Sequence, residues 1–316
     1  METTLEHRIP PMTLRERIWL AAILILAAGM KLWLILGNFL PFNSDEAVVA
    51  LMARHILEGA KPIFFYGQAY MGSLDAYLIA AGFAVFGQYV WVIRLVQSLL
   101  YLGFLLITFF IGRESFGSAR VGLMAASLLA IPTVNVSLYT TASLGGYGEA
   151  MLIGSLVVWL AMRIGRSLQD DKLPGPTWRW LLLGLLAGFG LWAFGFSLVF
   201  SLPAAIYLLW LVFKAAADGL AADSLQPGRL QWFKKVVVVL KRALRLAGKG
   251  FLAALYGVIQ GAVLLIVFAF QNGLGVLVQE LGGSAIAGVE RVPWIFQVGQ
   301  HLLSLIVLGG TVIIGA

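Results

Sequence analysis

The sequence predicts an all-α, polytopic transmembrane bundle of about eight spans, with two amphipathic helices lying flat in its first external loop. Three observations predict this. The 316 residues are 60% hydrophobic and only 12% charged, roughly half the charge of an ordinary soluble domain, and the mean hydropathy is +0.92. Several apolar runs reach the ~18 residues that mark a spanning helix. The basic residues gather in alternate connections, as they do where cytoplasmic loops retain Lys and Arg.

The elements follow in order. Residues 1–17 are polar and carry Arg8, Arg15 and Arg17 before the first apolar run, 18–40, which holds Lys31. That run is too long for a cleavable signal peptide and no small-residue cleavage site follows it, so it reads as a span. By the positive-inside rule the N-terminus is cytoplasmic and the chain emerges outside near Pro41. Asn43 then predicts a helix N-cap, with Glu46 closing a capping box. Val48, Val49, Met52 and Ile56 recur at helical spacing, so 44–58 is an amphipathic surface helix, ended by Gly59 and Pro62. A second apolar stretch, 71–86, is short and could span or lie on the surface. Charge decides for the surface: only then do Arg113, Arg120, Arg163, Arg166, Lys172 and Arg179 all fall in the cytoplasm.

The spans that follow are 89–112, 121–131, 151–160, 181–192, 198–213, 251–270 and 301–316. The loop 135–148 is external, 214–249 is a basic, partly helical cytoplasmic loop, and 271–300 is external and Gly-rich. The whole chain reads as one transmembrane domain. It stops inside an apolar run without a polar tail, which predicts that a C-terminal portion is missing. The net charge of +7 is thereby topological. It favours contact with anionic lipid and not with nucleic acid. There are no cysteines, which excludes disulfides, thiolate metal sites and a cysteine nucleophile. No Walker loop, dinucleotide glycine fingerprint or nucleophile elbow is present.

The chemistry is concentrated in the stretch from Asn43 to Gly87. Asp45 and Glu46 are adjacent, Arg54, His55, Glu58 and Lys61 follow, and then comes the run Phe64-Phe65-Tyr66-Gly67-Gln68-Ala69-Tyr70. In so apolar a chain this reads as the mouth of an active site. The external acids are Asp45, Glu46, Glu58, Asp75, Glu149, Glu280 and Glu290. Asp45, Glu46 and Glu149 open helices, where a carboxylate also has a purely structural use against the helix dipole. A carboxylate whose burial raises its pKa can serve as a general base. Arg54, Lys61 and Arg94 are the cations able to hold phosphate, with ion pairing to Glu58 or lipid contact as the plainer reading. Tyr66, Tyr70 and Tyr147 could stack on a sugar ring or belong to the interfacial aromatic belt. Lys31 could snorkel to a headgroup or pair with an acid. His7, His55 and His301 show no spacing that makes a metal site.

These residues resemble a known family, the polytopic GT-C glycosyltransferases, in particular bacterial relatives of the dolichyl-phosphate-mannose protein mannosyltransferases and the lipid A aminoarabinose transferase. The resemblance is carried by Asn43-Ser44-Asp45-Glu46-Ala47, by the helix to Arg54-His55-Ile56-Leu57-Glu58-Gly59, by Phe65-Tyr66-Gly67-Gln68-Ala69-Tyr70-Met71-Gly72-Ser73-Leu74-Asp75-Ala76-Tyr77, and by Phe86-Gly87 with the Arg94 beyond. It extends over about 15–165. It implies inverting transfer of a sugar from a polyprenyl phosphate to a glycan, lipid or protein acceptor on the outer face of a plasma membrane. Asp45 is the implied catalytic base, Glu46 its neighbour and Glu149 the second-loop acid. His55, Gln68 and Asp75 join the cations and tyrosines as substrate contacts. No cofactor is certain; a divalent cation, Mg or Mn, held by Asp45 and Glu149, is used by some relatives and not by others. The chain has Gly67-Gln68-Ala69-Tyr70 where the family commonly has Lys-Pro-Pro. The competing class is a transporter or flippase of lipid-linked glycans. It would bury ionisable groups at mid-membrane on several helices, and the sequence offers only Lys31 there. No internal repeat supports it.

Overall fold

The computed structural model describes residues 11–170, 174–218 and 229–278. Eleven α-helices and one short hairpin are found there: α1 (Leu14–Leu36), α2 (Ser44–Leu57), β1 (Phe64–Phe65), β2 (Gln68–Gly72), α3 (Leu74–Phe86), α4 (Val90–Phe116), α5 (Ala119–Ala130), α6 (Val134–Tyr139), α7 (Tyr147–Asp170), α8 (Thr177–Ala193), α9 (Leu198–Asp218), α10 (Arg229–Gly261) and α11 (Val263–Asn272). Glu280, Glu290, His7, Arg8, Lys172, His301 and the run 301–316 lie outside the described residues.

Four helical segments are long and apolar enough to cross a bilayer: Leu14–Leu36, Val90–Phe116, Tyr147–Gln169 and Gly195–Asp218. The pair Val236–Gly261 and Val263–Asn272 passes the same test only when taken together, with a bend of 56° at its break, and makes a fifth if it is one span. The chain is therefore an integral membrane protein, with four to five such spans among the described residues where the sequence reading has seven of its eight. The difference lies in short elements. α5 has 12 residues and α8 has 17. At 1.5 Å per residue these reach about 18 and 26 Å against a hydrocarbon core of about 30 Å. The expected span 251–270 is broken at Ala262, between α10 and α11.

The first loop folds as two helices joined by a hairpin. α2 starts at Asn43, whose Oδ1 accepts the Glu46 N–H at 2.9 Å. The expected capping box stays half-formed, because the Glu46 side chain turns inward to Arg94 at 3.2 Å, where both partners of the hydrogen bond are charged. A complete capping box joins Thr13 and Glu16 at the start of α1. α2 buries Glu46, Val49, Met52 and Ala53. α3, apart from Asp75 and Tyr77, is apolar on every side. The aromatic run read as loop is a β-hairpin with Phe65 paired to Gln68 across Tyr66-Gly67, and Gly67 supplies the positive φ of 74° the turn requires. Met71 extends the pairing to Phe194 at the α8–α9 corner.

The helix ends sort into two regions. At one, the end of α1, α2, α3, the start of α4, the start of α7 and the α8–α9 corner converge through the contacts described below. At the other, Arg163 and Arg166 of α7 share Glu114 of α4 at 3.3 and 3.6 Å, and Arg179 of α8 meets Ser167 of α7. Between them α7, α8, α9 and α10 enclose one core built on Trp180, Ile164 and Leu208. α8 and α10 lie backbone to backbone. A Cβ on Gly184 would fall 1.9 Å from the Ala254 carbonyl oxygen, and one on Gly257 2.2 Å from that of Leu181. Small residues four apart on both helices permit this approach.

Candidate active site

Asp45 and Glu46 are sequence neighbours with opposite fates. Successive helical positions turn by about 100°, so one carboxylate faces out when the next faces in. Glu46 is fully buried, while Asp45 is half-buried and makes no hydrogen bond or ion pair among the described residues. Arg94, in the first turn of α4 and 2% exposed, binds Glu46 through Nε at 3.2 Å and Nη2 at 3.4 Å. It also donates to the Leu40 carbonyl at 2.8 Å and to Asn38 Oδ1 at 3.3 Å. Arg94 thus ties the end of α1 and the start of α2 to α4. Its guanidinium is committed to the protein, which sets it apart from Lys61 and Arg54 as a phosphate ligand.

A second acid pair lies deeper. Asp75, in the first turn of α3, is 2% exposed, and Glu149, in the first turn of α7, is 1% exposed. Asp75 accepts from Gln97 Nε2 at 2.7 Å and from the Ser143 hydroxyl. Glu149 adjoins Asp75 closely enough to interact electrostatically. No well-formed hydrogen bond reaches either Glu149 oxygen among the described residues. Burial pushes the Asp75 carboxyl up from its ordinary value; Ser143, Glu149 and Gln97 act against that, and the charge of Glu46 adds to it. Gly145 and Gly146, with φ of 80° and 70°, give the backbone the left-handed turn that delivers α7 to this point. Gly148 packs on Gln97, where a Cβ would come 2.7 Å from its Oε1.

Glu149 therefore meets Asp75. The sequence reading brings it to Asp45, and no hydrogen bond or ion pair joins those two. Among the described residues no group of three or more His, Asp or Glu side chains converges as a metal site. No step below is routed through a metal.

The remaining candidates are spread along the hairpin and its rim. His55 Nδ1 lies 3.2 Å from the Tyr66 hydroxyl. The Tyr70 hydroxyl donates to Gln68 Oε1 at 2.9 Å. Arg54 pairs with Glu58 at 3.0 Å on an exposed face, and Lys61 is exposed and unpaired among the described residues. Tyr147 packs against Tyr139, Phe194 and Phe196 at ring distances of 4.8, 5.0 and 5.9 Å.

Lys31 neither snorkels nor meets an acid. Its ammonium is 2% exposed and donates to the Thr140 carbonyl at 2.9 Å, Thr140 Oγ1 at 2.6 Å and Thr141 Oγ1 at 2.8 Å. It also lies 4.3 Å from the Tyr101 ring centroid. All three N–H donors are satisfied, so desolvation is offset in place. Sequence reasoning missed Gln97 and Ser143. Gln97 left a signal, a polar residue one turn after Arg94 within an apolar helix. Ser143, in an ordinary polar loop, left none.

Residues 72–217 match the family model described as dolichyl-phosphate-mannose-protein mannosyltransferase. The match takes in Asp75, Arg94, Gln97 and Glu149 and begins beyond Asp45 and Glu46. No curated protein and no solved structure matches the chain significantly. Over these residues the chain resembles the GT-C superfamily of polytopic membrane glycosyltransferases, and the helical membrane bundle agrees with that likeness.

Proposed function

We propose that the chain transfers a sugar, with inversion, from a polyprenyl-phosphate donor to an acceptor hydroxyl at the outer face of the plasma membrane. One observation supports this above others: of the adjacent acids Asp45 and Glu46, one is locked to Arg94 and the other is left unpartnered and half-accessible. A free carboxylate held on a rigid, buried neighbour is what a general base requires.

In this reading Asp45 takes the proton from the acceptor hydroxyl as its oxygen attacks the anomeric carbon. The bond from that carbon to the phosphate oxygen breaks on the opposite face, and the leaving polyprenyl phosphate keeps the electron pair. Lys61 and Arg54 are the cations free to stabilise the growing phosphate charge; the Arg54–Glu58 pair is exposed and easily exchanged, since such pairs contribute only about 0.3–0.5 kcal/mol. Tyr66, Tyr70 and Tyr147 would stack on the sugar, with His55 and Gln68 holding two of those hydroxyls. Asp75 and Glu149, side by side and buried, would form the floor of the site and bind sugar hydroxyls.

The basic region around Arg113, Arg163, Arg166 and Arg179 would face the cytoplasm, which sets the acids outside. α2 and α3 would then lie at the outer surface. A count of eight crossings needs α5 and α8 to cross with help from their connections, as well as 301–316. The flippase reading is not favoured, because the family match is to a transferase and three of the four buried acids among the described residues, Glu46, Asp75 and Glu149, gather at one end of the bundle, the fourth, Glu114, being paired with Arg163 and Arg166 at the other.

The test is transfer of radiolabelled sugar from a polyprenyl phosphate by the purified protein in vesicles. Asp45→Asn is expected to lower the rate by about 100-fold or more, the range that a general base contributes, with an unchanged Tm. Wild-type transfer by Asp45→Asn would remove the proposed mechanism. Movement of intact donor across the bilayer without transfer would replace it with transport.

A further inference from the structure

α8 and α10 run parallel and in contact from Trp180 beside Gly250 to Gly188 beside Val258. Near the start of α8 their contact opens into a cavity of about 310 Å³, at the lower end of the range for small-molecule sites. It lies in the basic region, away from the acid pairs. Its residues have no place in the proposed transfer reaction.

The cavity has a rigid floor. The Trp180 indole is 1% exposed, and its N–H donates to the Pro174 carbonyl at 2.7 Å. Gly250 lets the α10 backbone rest on the ring, where a Cβ would come within 2.8 Å. Arg245 and Lys249 line the opening. They stand four residues apart, on one face of the helix. Both are exposed, and neither pairs with a carboxylate among the described residues. α10 itself contains no Asp or Glu. Arg163 and Arg166 show the contrast: their charge is spent on Glu114. Thr177 lines the same cavity and opens α8, whose N-cap, Pro176, brings no side-chain hydrogen bond, so polar N–H groups also face this side.

Leu244, 57% exposed, and Leu246 supply the apolar part of the remaining wall. Outside the lining, next to Thr177 in sequence, Trp178 is 58% exposed and carries the Arg179 guanidinium 5.6 Å from its ring centroid. Tryptophan with arginine marks the depth at which lipid headgroups meet acyl chains. Two unpaired cations above a tryptophan floor, next to exposed leucine, fit a ligand that is anionic at one end and apolar at the other.

We infer that this cavity between α8 and α10 binds the phosphate headgroup of an anionic phospholipid, with Arg245 and Lys249 on the phosphate and Leu244 against the glycerol and upper acyl chain. Free phosphate shares the headgroup chemistry and lacks the apolar half.

The inference is tested on the full chain in detergent, by titrating short-chain phosphatidylglycerol, short-chain phosphatidylcholine and inorganic phosphate, with Tm and native mass spectrometry as readouts. Phosphatidylglycerol is expected to bind and to raise Tm, as a ligand of the folded state must. Phosphatidylcholine and inorganic phosphate are expected to do neither at the same concentrations. The double variant Arg245→Gln/Lys249→Gln should weaken phosphatidylglycerol binding by about thirtyfold and keep the lipid-free Tm. The control Lys241→Gln/Arg242→Gln removes equal charge from α10 outside the cavity and should bind as wild type does. Equal losses in both double variants would show general attraction to a basic helix and overturn the site. So would an undiminished Tm rise in Arg245→Gln/Lys249→Gln, or a full response to inorganic phosphate. None of these readouts depends on sugar transfer.

Discussion

Lys31 on α1 donates to Thr141 Oγ1 at 2.8 Å, across 110 positions of sequence. The same ammonium holds the carbonyl and hydroxyl of Thr140, so one side chain anchors the segment that presents Ser143 to Asp75. Lys31→Met removes the donor and leaves three buried acceptors. It is predicted to cost about 1–3 kcal/mol of stability and to loosen residues 140–146. The absence of native cysteines makes this directly measurable. A single cysteine at Leu144 should react with maleimide several-fold faster in Lys31→Met than in the wild-type background. Equal rates would assign the anchoring elsewhere.

The Glu46–Arg94 pair should behave as structure and Asp45 as chemistry. Arg94→Met strands a carboxylate that is 0% exposed, a change that costs about 3–5 kcal/mol. Adding Glu46→Gln should recover part of the loss, since the stranded charge is then gone. Asp45→Asn touches no partner and should leave thermal unfolding unchanged. Unfolding of the three variants and the wild type in one detergent decides this, and an unaltered Tm in Arg94→Met would refute it.

Asp75 predicts a pH dependence with a definite sign. Its folded-state pKa lies above the ordinary 3.8 because burial disfavours the charge. The folded protein thus holds this proton more tightly than the unfolded chain, and stability falls as pH rises from about 3.8 towards the raised folded value. Asp75→Asn keeps partners for Gln97 and Ser143 and has no proton to lose. A plot of Tm against pH should be flatter for Asp75→Asn over that window. Parallel curves would show that Asp75 does not titrate differently on folding.

The α8–α10 contact predicts that glycines on one helix differ sharply in tolerance. A Cβ on Gly257 would lie 2.2 Å from the Leu181 carbonyl oxygen, while one on Gly248 meets nothing within 4 Å. Gly257→Ala must force the two backbones apart and is predicted to lose about 1–3 kcal/mol or more. Gly248→Ala should be neutral or gain up to about 1 kcal/mol from helix propensity. Comparison of their Tm values tests whether this contact holds the bundle together.

Much of this architecture was legible in the residues. Asn43 announced the start of α2, and Val48, Val49, Met52 and Ile56 marked its inner face, because helix capping and periodicity are local properties. The Tyr66-Gly67 turn was legible in principle and was passed over, since the aromatic run around it also suits a binding loop. Long apolar runs disclosed α1 and α4. The shorter ones, α3, α5 and α8, gave hydropathy without length, and seven crossings were read among the described residues where four to five helical segments have both.

By itself the sequence determined that the chain lives in a membrane, that it resembles a family of membrane glycosyltransferases, and that ionisable and aromatic residues concentrate from Asp45 and Glu46 onward. Each of these rests on composition, spacing or a local motif. The tertiary structure alone decided that Glu46 belongs to Arg94, that Glu149 meets Asp75, and that Lys31 grips Thr140 and Thr141. These partners lie far apart along the chain. In a dry interior each buried charge must find a specific counterpart or donor set, and only the packing of whole helices determines which one comes within hydrogen-bonding distance.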